Sequence, residues 1–186
     1  MEGRLPAFLA ELERLVNVDG GSYTPEGVNL VADHVEATLR SLGAEVRRVP
    51  HEPEDGASQL GDLVIGSIPG DGARILLIGH MDTVFDPGTA AQRPFRVAGD
   101  RAFGPGVTDM KAGLLAGLHA IAALHEAGAR PPITFVANPD EEIGSPFSTP
   151  FIRELAPQHD VALVLECARA NGDIVSARKG IADYHV

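Results

Sequence analysis

Three polar clusters each follow an apolar run. His80-Met81-Asp82 comes after residues 75–79, Asp140-Glu141-Glu142 after 133–137, and Glu166 after 161–165. A fourth group, Asp109-Met110-Lys111, stands between the loop Gly104-Pro105-Gly106-Val107-Thr108 and a long apolar stretch. Imidazole and carboxylate donors brought to one place suit a hard-to-borderline cation, typically zinc. Extra carboxylates beside them supply a base and a group that orients the histidine. Residues of these types in this arrangement point to a hydrolase.

Each cluster also has an ordinary alternative. A His-x-Asp triplet is common by chance and, alone, reads as a satisfied loop histidine beside a turn aspartate. In an extended backbone, however, His80 and Asp82 share a face, so Asp82 can accept the spare ring N–H and fix the tautomer of a ligating His80. Asp109 competes with a helix-capping role, because Asp is preferred at helix N-termini. The glycines before it, which let backbone approach an ion or substrate closely, and the nearby Lys111 favour a ligand. Glu141 and Glu142 are adjacent, so an extended backbone would aim one at a metal and the other, as base, at substrate. A solvated acidic turn is the alternative, and the apolar run just before it argues against ordinary surface. Glu166 ends an apolar run, where a buried carboxylate without a partner is costly. His34, His119 and His125 fall in helical patterns and read as structural or surface residues. His51, His159 and His185 have no partner in the sequence, and Arg178-Lys179 reads as a solvated or substrate-edge pair.

The elements that must position these groups follow from apolar spacing. Helices are expected over 5–16 and from Thr24-Pro25, an N-cap followed by proline, to about Leu42, with Gly43 as the stop. Strands are expected at 44–49, 63–68 and 73–78, then a loop over 80–92 and a small hairpin from 95–97 and 102–103. A buried helix over 111–127, strands at 133–137 and 161–165, and a short helix over 147–156 complete the pattern. Residues 174–177 and 181–186 read as two further strands. Strands alternating with helices predict an α/β fold, a three-layer sandwich whose mostly parallel, mixed central sheet is flanked by helices. Ligands of such sheets bind beyond the carboxyl ends of strands, which is where His80, residues 140–142 and Glu166 fall. The last strand-like run stops at Val186 with no turn or cap, the pattern expected of an amino-terminal fragment incomplete at its C-terminus.

Composition narrows the class. At 186 residues the chain fits one domain with a sizeable core. A net charge of -11 argues against a nucleic-acid partner, which needs a basic face. The single cysteine, Cys167, excludes an intramolecular disulfide; lying in an apolar strand pattern, it reads as a buried, inert thiol in a reducing compartment. The opening MEGRLPAFLAELERL has no signal-peptide core and no apolar run is expected to span a membrane, so a cytoplasmic location is expected. A flavodoxin-like nucleotide binder finds no phosphate-cradling loop, and there is no Gly-x-Ser-x-Gly elbow.

LLIGHMDTVF, FGPGVTDMKAG, ANPDEEIGS and LVLECA run in order over about residues 75–168. Together they make the chain resemble the co-catalytic di-zinc exopeptidase and amidohydrolase family, which contains glutamate carboxypeptidase, succinyl-diaminopimelate desuccinylase, acetylornithine deacetylase and the aminoacylases. LVNVDGGSYTPEGVN and HMDTVF bring it nearest the glutamate carboxypeptidase-like members. The resemblance implies that His80 and Glu166 hold one zinc, Glu142 holds the second, and Asp109 bridges both. Glu141 would be the general base, Asp82 would orient His80, and the peptide bond after Asp109 would be cis. It further implies two Zn2+, with Co2+ or Mn2+ as substitutes, and a small peptide or N-acyl amino acid as substrate. A homodimer of the full-length protein is left open; neither nucleic acid nor membrane is expected as a partner.

Two departures set the remaining expectations. The family's remaining ligand, a histidine nearer the C-terminus, has no counterpart, His185 coming too early to supply it. The family also inserts a lid and dimerisation domain after a segment like SARKGIADYHV, where this chain ends. Residues 1–178 are therefore expected to form the amino-terminal part of a zinc-peptidase-like catalytic domain and residues 179–186 the start of a lid. The chain alone is expected to show weak or no peptidase activity. The competing class is a non-catalytic binding or interaction module that keeps the fold without a complete metal site.

Overall fold

Helical spacing of apolar residues builds α1 (Leu5–Val16), which buries Leu12, Leu15 and Val16, and α2 (Pro25–Ser41), which buries Val28, Val31, Ala32, Val35 and Leu39. The structure is a computed structural model and describes residues 2–169 and 171–177. Thr24 precedes α2 without a side-chain cap bond, and Pro25, its φ already helical, starts the helix. Gly43, at φ +84°, ends it. The chain continues through β1 (Glu45–Val49), β2 (Leu63–Ile68), β3 (Ile75–His80), α3 (Thr89–Gln92), β4 (Arg96–Ala98) and β5 (Arg101–Phe103). It then forms α4 (Ala112–Glu126), β6 (Ile133–Asn138), α5 (Thr149–Leu155) and β7 (Val161–Val164).

Five strands make one sheet in the order β1-β2-β6-β3-β7, and β4 with β5 forms a separate hairpin. β3 runs parallel to β6 and β7, whereas β2 is antiparallel to both β1 and β6. Only β2 is therefore reversed, which makes the sheet mixed and mostly parallel. On one face α1, α2 and α4 bury Leu12, Val35 and Leu118 with Leu77 and Phe135 of the sheet. On the other, Phe147, Phe151 and Leu155 cover Leu63, Leu76 and Val136. This is the expected three-layer α/β arrangement. The register sets His80 opposite Asn138 and Ile78 opposite Val164, so the carboxyl ends of β3, β6 and β7 share one edge.

α4 lies close to that edge because its small residues permit it. A Cβ on Gly113 would fall 1.9 Å from the Leu165 carbonyl oxygen, and one on Gly117 would fall 2.6 Å from Leu165 Cδ1. Contrary to expectation, the stretch Val107–Glu126 is long and apolar enough, by length and composition alone, to cross a membrane, although its backbone is not helical at Asp109 and Met110. Its apolarity serves packing: Leu114, Leu115, Leu118 and Ile121 are buried in the core.

Several expectations are corrected. The predicted loop over 80–92 contains the short α3. Residues 174–177 have no regular structure, since no strand pairs with them among the described residues. The predicted strand at 181–186, together with Arg178, Lys179 and His185, lies outside the described residues. β7 is not covered on both faces: as the edge strand it leaves Leu163 48% and Val164 62% exposed. Cys167 is exposed rather than buried, because the chain leaves the sheet after the Leu165 N–H donates to the Ile78 carbonyl at 2.8 Å.

Candidate metal centre

β3 delivers His80 to the sheet edge with its ring almost fully buried. Its Nδ1 faces Asp82, 3.2 Å from Oδ1 and 3.0 Å from the main-chain oxygen. Nε2 points the other way, 3.0 Å from Asp109 Oδ1, 3.1 Å from Glu166 Oε1 and 3.9 Å from Glu141 Oε2. One donor atom each from His80, Asp109 and Glu166 lies within 4.8 Å of the others. The structure thus joins three clusters that are 29 or more residues apart in sequence.

Asp109 does not cap a helix. Its φ and ψ of -119° and 95°, with -134° and 33° at Met110, break the backbone before α4 begins. The Asp109–Met110 peptide is cis, as the family resemblance implies. Gly106 sets up this turn at φ +71°, where a Cβ would also meet Thr83 Cγ2 at 2.7 Å. The Asp109 carboxylate is 60% exposed on its way to His80, while Met110 is buried behind it. Lys111 turns inward, and its Nζ donates to the Leu15 and Val18 carbonyls at 2.8 and 2.9 Å, so it closes the C-terminal end of α1. Burial pushes this amine down to about 8, opposed by the charge of Asp19. It is an anchor for the fold, outside the donor cluster.

The Asp140-Glu141-Glu142 run divides its labour. Asp140 is fully buried, and its Oδ2 accepts the Phe147 and Ser148 N–H groups at 2.7 and 3.1 Å, fixing the approach to α5. Contrary to expectation, Glu141 and Glu142 are not extended: they open a 3₁₀ turn, Glu141–Ile143, because their amide groups donate to Asp82 Oδ1 and Oδ2 at 3.1 and 3.2 Å. Glu141 is half exposed and faces His80, whereas Glu142 stands outside the three-donor cluster. Asp82, wholly buried, thus touches His80 and both amides of the turn; its Oδ2 also accepts the Ser22 hydroxyl at 2.6 Å. Nothing in the sequence around Ser22 marks it as part of a site, because no local spacing signals a contact across 60 residues.

The electrostatics are those of an acid-rich pocket around one imidazole. Burial works against charge on His80, yet hydrogen bonds to Asp82 and Glu166 raise it to about 11. Burial first, and the charge of Asp109 second, push Glu142 up to about 7. Glu141 is also raised, chiefly by burial. The carboxylates of Asp82, Asp109, Glu141 and Glu166 outnumber the single positive charge that His80 offers. The donor set fits zinc: the 3.0 and 3.1 Å separations compare with the edge of about 3.3 Å in a tetrahedron of 2.0–2.1 Å bonds. A cavity of about 290 Å³ opens beside them, lined by Asp109, Glu141, Glu166, Cys167 and Arg169 among others. Among the described residues, four other histidines have partners away from the donor cluster: His34 and His119 share Glu11, His51 accepts the Leu60 N–H, and His159 bridges Leu155 and Thr134.

Residues 76–181 match the family described as Peptidase family M20/M25/M40, and the chain belongs to that family. The carboxypeptidase G2 of Pseudomonas sp. (strain RS-16) is 39% identical over 185 residues, which cover 97% of this chain and 44% of that protein. The chain therefore spans less than half the length of this relative. Among solved structures, human carnosine dipeptidase 1 gives a TM-score of 0.74 at 19% identity, over 88% of this chain and 39% of that one. The M20 family metallo-carboxypeptidase Sso-CP2 from Sulfolobus solfataricus gives 0.71 at 20% identity, over 89% and 38%. These structures establish the shared α/β fold.

Proposed function

We propose that the site belongs to a zinc-dependent hydrolase that cleaves a peptide or N-acyl amide bond and releases an amino acid. The observation that carries this reading is the convergence of His80 Nε2 with the carboxylates of Asp109 and Glu166 beside the half-exposed Glu141. His80 and Glu166 would hold one zinc, Glu142 a second, and Asp109 would serve both; the charge that Asp109 imposes on Glu142 supports a cation between them. Zinc bound there supplies a Lewis acid toward the scissile carbonyl and toward the attacking water.

The chain's own residues supply the rest. Glu141 takes the proton of the attacking water and hands it to the leaving nitrogen. Burial raises its proton affinity above that of an ordinary carboxylate, which suits a group that must both accept and release a proton. Asp82 holds the ring of His80 through Nδ1 and leaves Nε2 for the metal. The family membership and the relative named carboxypeptidase G2 support a small peptide or N-acyl amino acid as substrate. Within a protein of that relative's length, we assign residues 1–178 to the catalytic domain, residues 179–186 to the start of a lid, and the whole to a cytoplasmic homodimer.

The test is single-turnover release of glutamate from an N-acyl glutamate by excess zinc-loaded protein. Glu141→Ala should cut the rate by about 10²–10⁴-fold at unchanged zinc content. Undiminished release would remove Glu141 as the base. Zinc binding with no release from any such substrate would favour a binding module.

A further inference from the structure

We propose that Ser22 is a positioning residue of the metal centre, acting through Asp82. A carboxylate offers about four lone-pair positions, and four donors reach this one. His80 Nδ1 and the Glu141 N–H lie 3.2 and 3.1 Å from Oδ1; the Glu142 N–H and the Ser22 hydroxyl lie 3.2 and 2.6 Å from Oδ2. Three of the four donors belong to residues of the site itself. Ser22 is the one that comes from outside, and it makes the shortest contact.

That makes Ser22 the fixed point against which the carboxylate is set. Asp82 touches the proposed zinc-binding imidazole on one side and the base-bearing turn on the other, so any rotation of its carboxylate moves both. Without the hydroxyl, Oδ2 keeps only the longer bond from Glu142, and the buried carboxylate loses its outside reference. The segment that carries Ser22 is itself rigidly held. The Thr83 N–H donates to the Gly20 carbonyl at 2.8 Å, and Lys111 Nζ holds the Val18 carbonyl at 2.9 Å. A Cβ on Gly21 would fall 2.6 Å from the Phe85 carbonyl oxygen, so only glycine lets this segment lie so close to the chain that follows β3. Ser22, 5% exposed, is thus tied to the same end of β3 that presents His80.

The inference rests on the metal-centre reading above, and its test reads zinc affinity rather than turnover. In the 186-residue protein, chelator competition should show the zinc Kd rising about tenfold in Ser22→Ala, the lower end of what loss of an outer hydrogen bond does to a metal site. Ser22→Thr, which keeps the hydroxyl, should restore the wild-type Kd. The visible absorption of the Co2+-loaded protein should change in Ser22→Ala, a change that a purely structural role would not produce, and return in Ser22→Thr. If Ser22→Ala does not fold, Ser22→Cys, nearly isosteric and a weaker donor, carries the same test. Alanine and cysteine variants that bind zinc as the wild type does, with only the melting temperature altered, would overturn this inference alone. A wild-type protein that binds no zinc would overturn the metal-centre reading and this inference together.

Discussion

His80 has two faces with different tasks, and its surroundings separate them. Asp82 fixes Nδ1, while Asp109 and Glu166 crowd Nε2; against the pull of burial, the hydrogen bonds to Asp82 and Glu166 raise the metal-free ring to about 11. Zinc takes the neutral imidazole, so it must displace that proton. The sign follows: acid favours the proton, and zinc affinity should climb about tenfold per pH unit through neutrality. Calorimetry of zinc binding at pH 7 in buffers of differing ionisation enthalpy should show release of about one proton from His80, with more from Glu142; uptake, or no exchange, would contradict the assignment. At this scale the sequence was informative about residue types and silent about partners. A histidine and acids at strand ends announced a site. Nothing in Asp140-Glu141-Glu142 showed that Asp82 would draw both glutamate amides into a 3₁₀ turn, or that Asp140 would serve α5 instead.

The elements explain why residues so distant meet. Parallel pairing of β3 with β6 and β7 puts three carboxyl ends on one edge, and that edge receives His80, the Glu141 turn and Glu166. Periodicity made α1, α2, α4 and the apolar strands legible, since each buries a face or a whole run. Residues 174–177 misled because β-like composition does not make a strand without a neighbour to pair with. Lys111 was equally opaque: the sequence puts it at the start of an apolar helix, and only the packing of α1 across that start turns it into a cap. Lys111→Met should lower the unfolding free energy by about 2 kcal/mol, since it removes charged hydrogen bonds to two carbonyls. Urea unfolding would show this as a lower midpoint at unchanged slope; an unmoved midpoint would mean that the amine contributes nothing to the joint between α1 and α4.

For the whole molecule, an acidic chain is matched to a cation. The chain carries 26 acidic residues against 15 lysines and arginines, and four of the carboxylates gather around His80. A ligand that binds only the folded state stabilises it by mass action, by about 2.7 kcal/mol at a free concentration of 100 Kd. For a chain of this size, zinc should therefore raise Tm by about 5–10 °C, whereas magnesium, which prefers all-oxygen sites, should raise it less. An equal shift with either ion would point to general charge screening.

The zinc content of the protein after equilibrium dialysis, read by elemental analysis for the wild type and for Asp109→Asn, tests the metal centre most directly. The Asp109 carboxylate is 60% exposed, so its replacement should leave the fold intact. The wild type should retain stoichiometric zinc, and the variant should lose it at unchanged circular dichroism. A wild type that retains no zinc, or a variant that retains as much as the wild type, would contradict the assignment of His80, Asp109 and Glu166 as a metal centre.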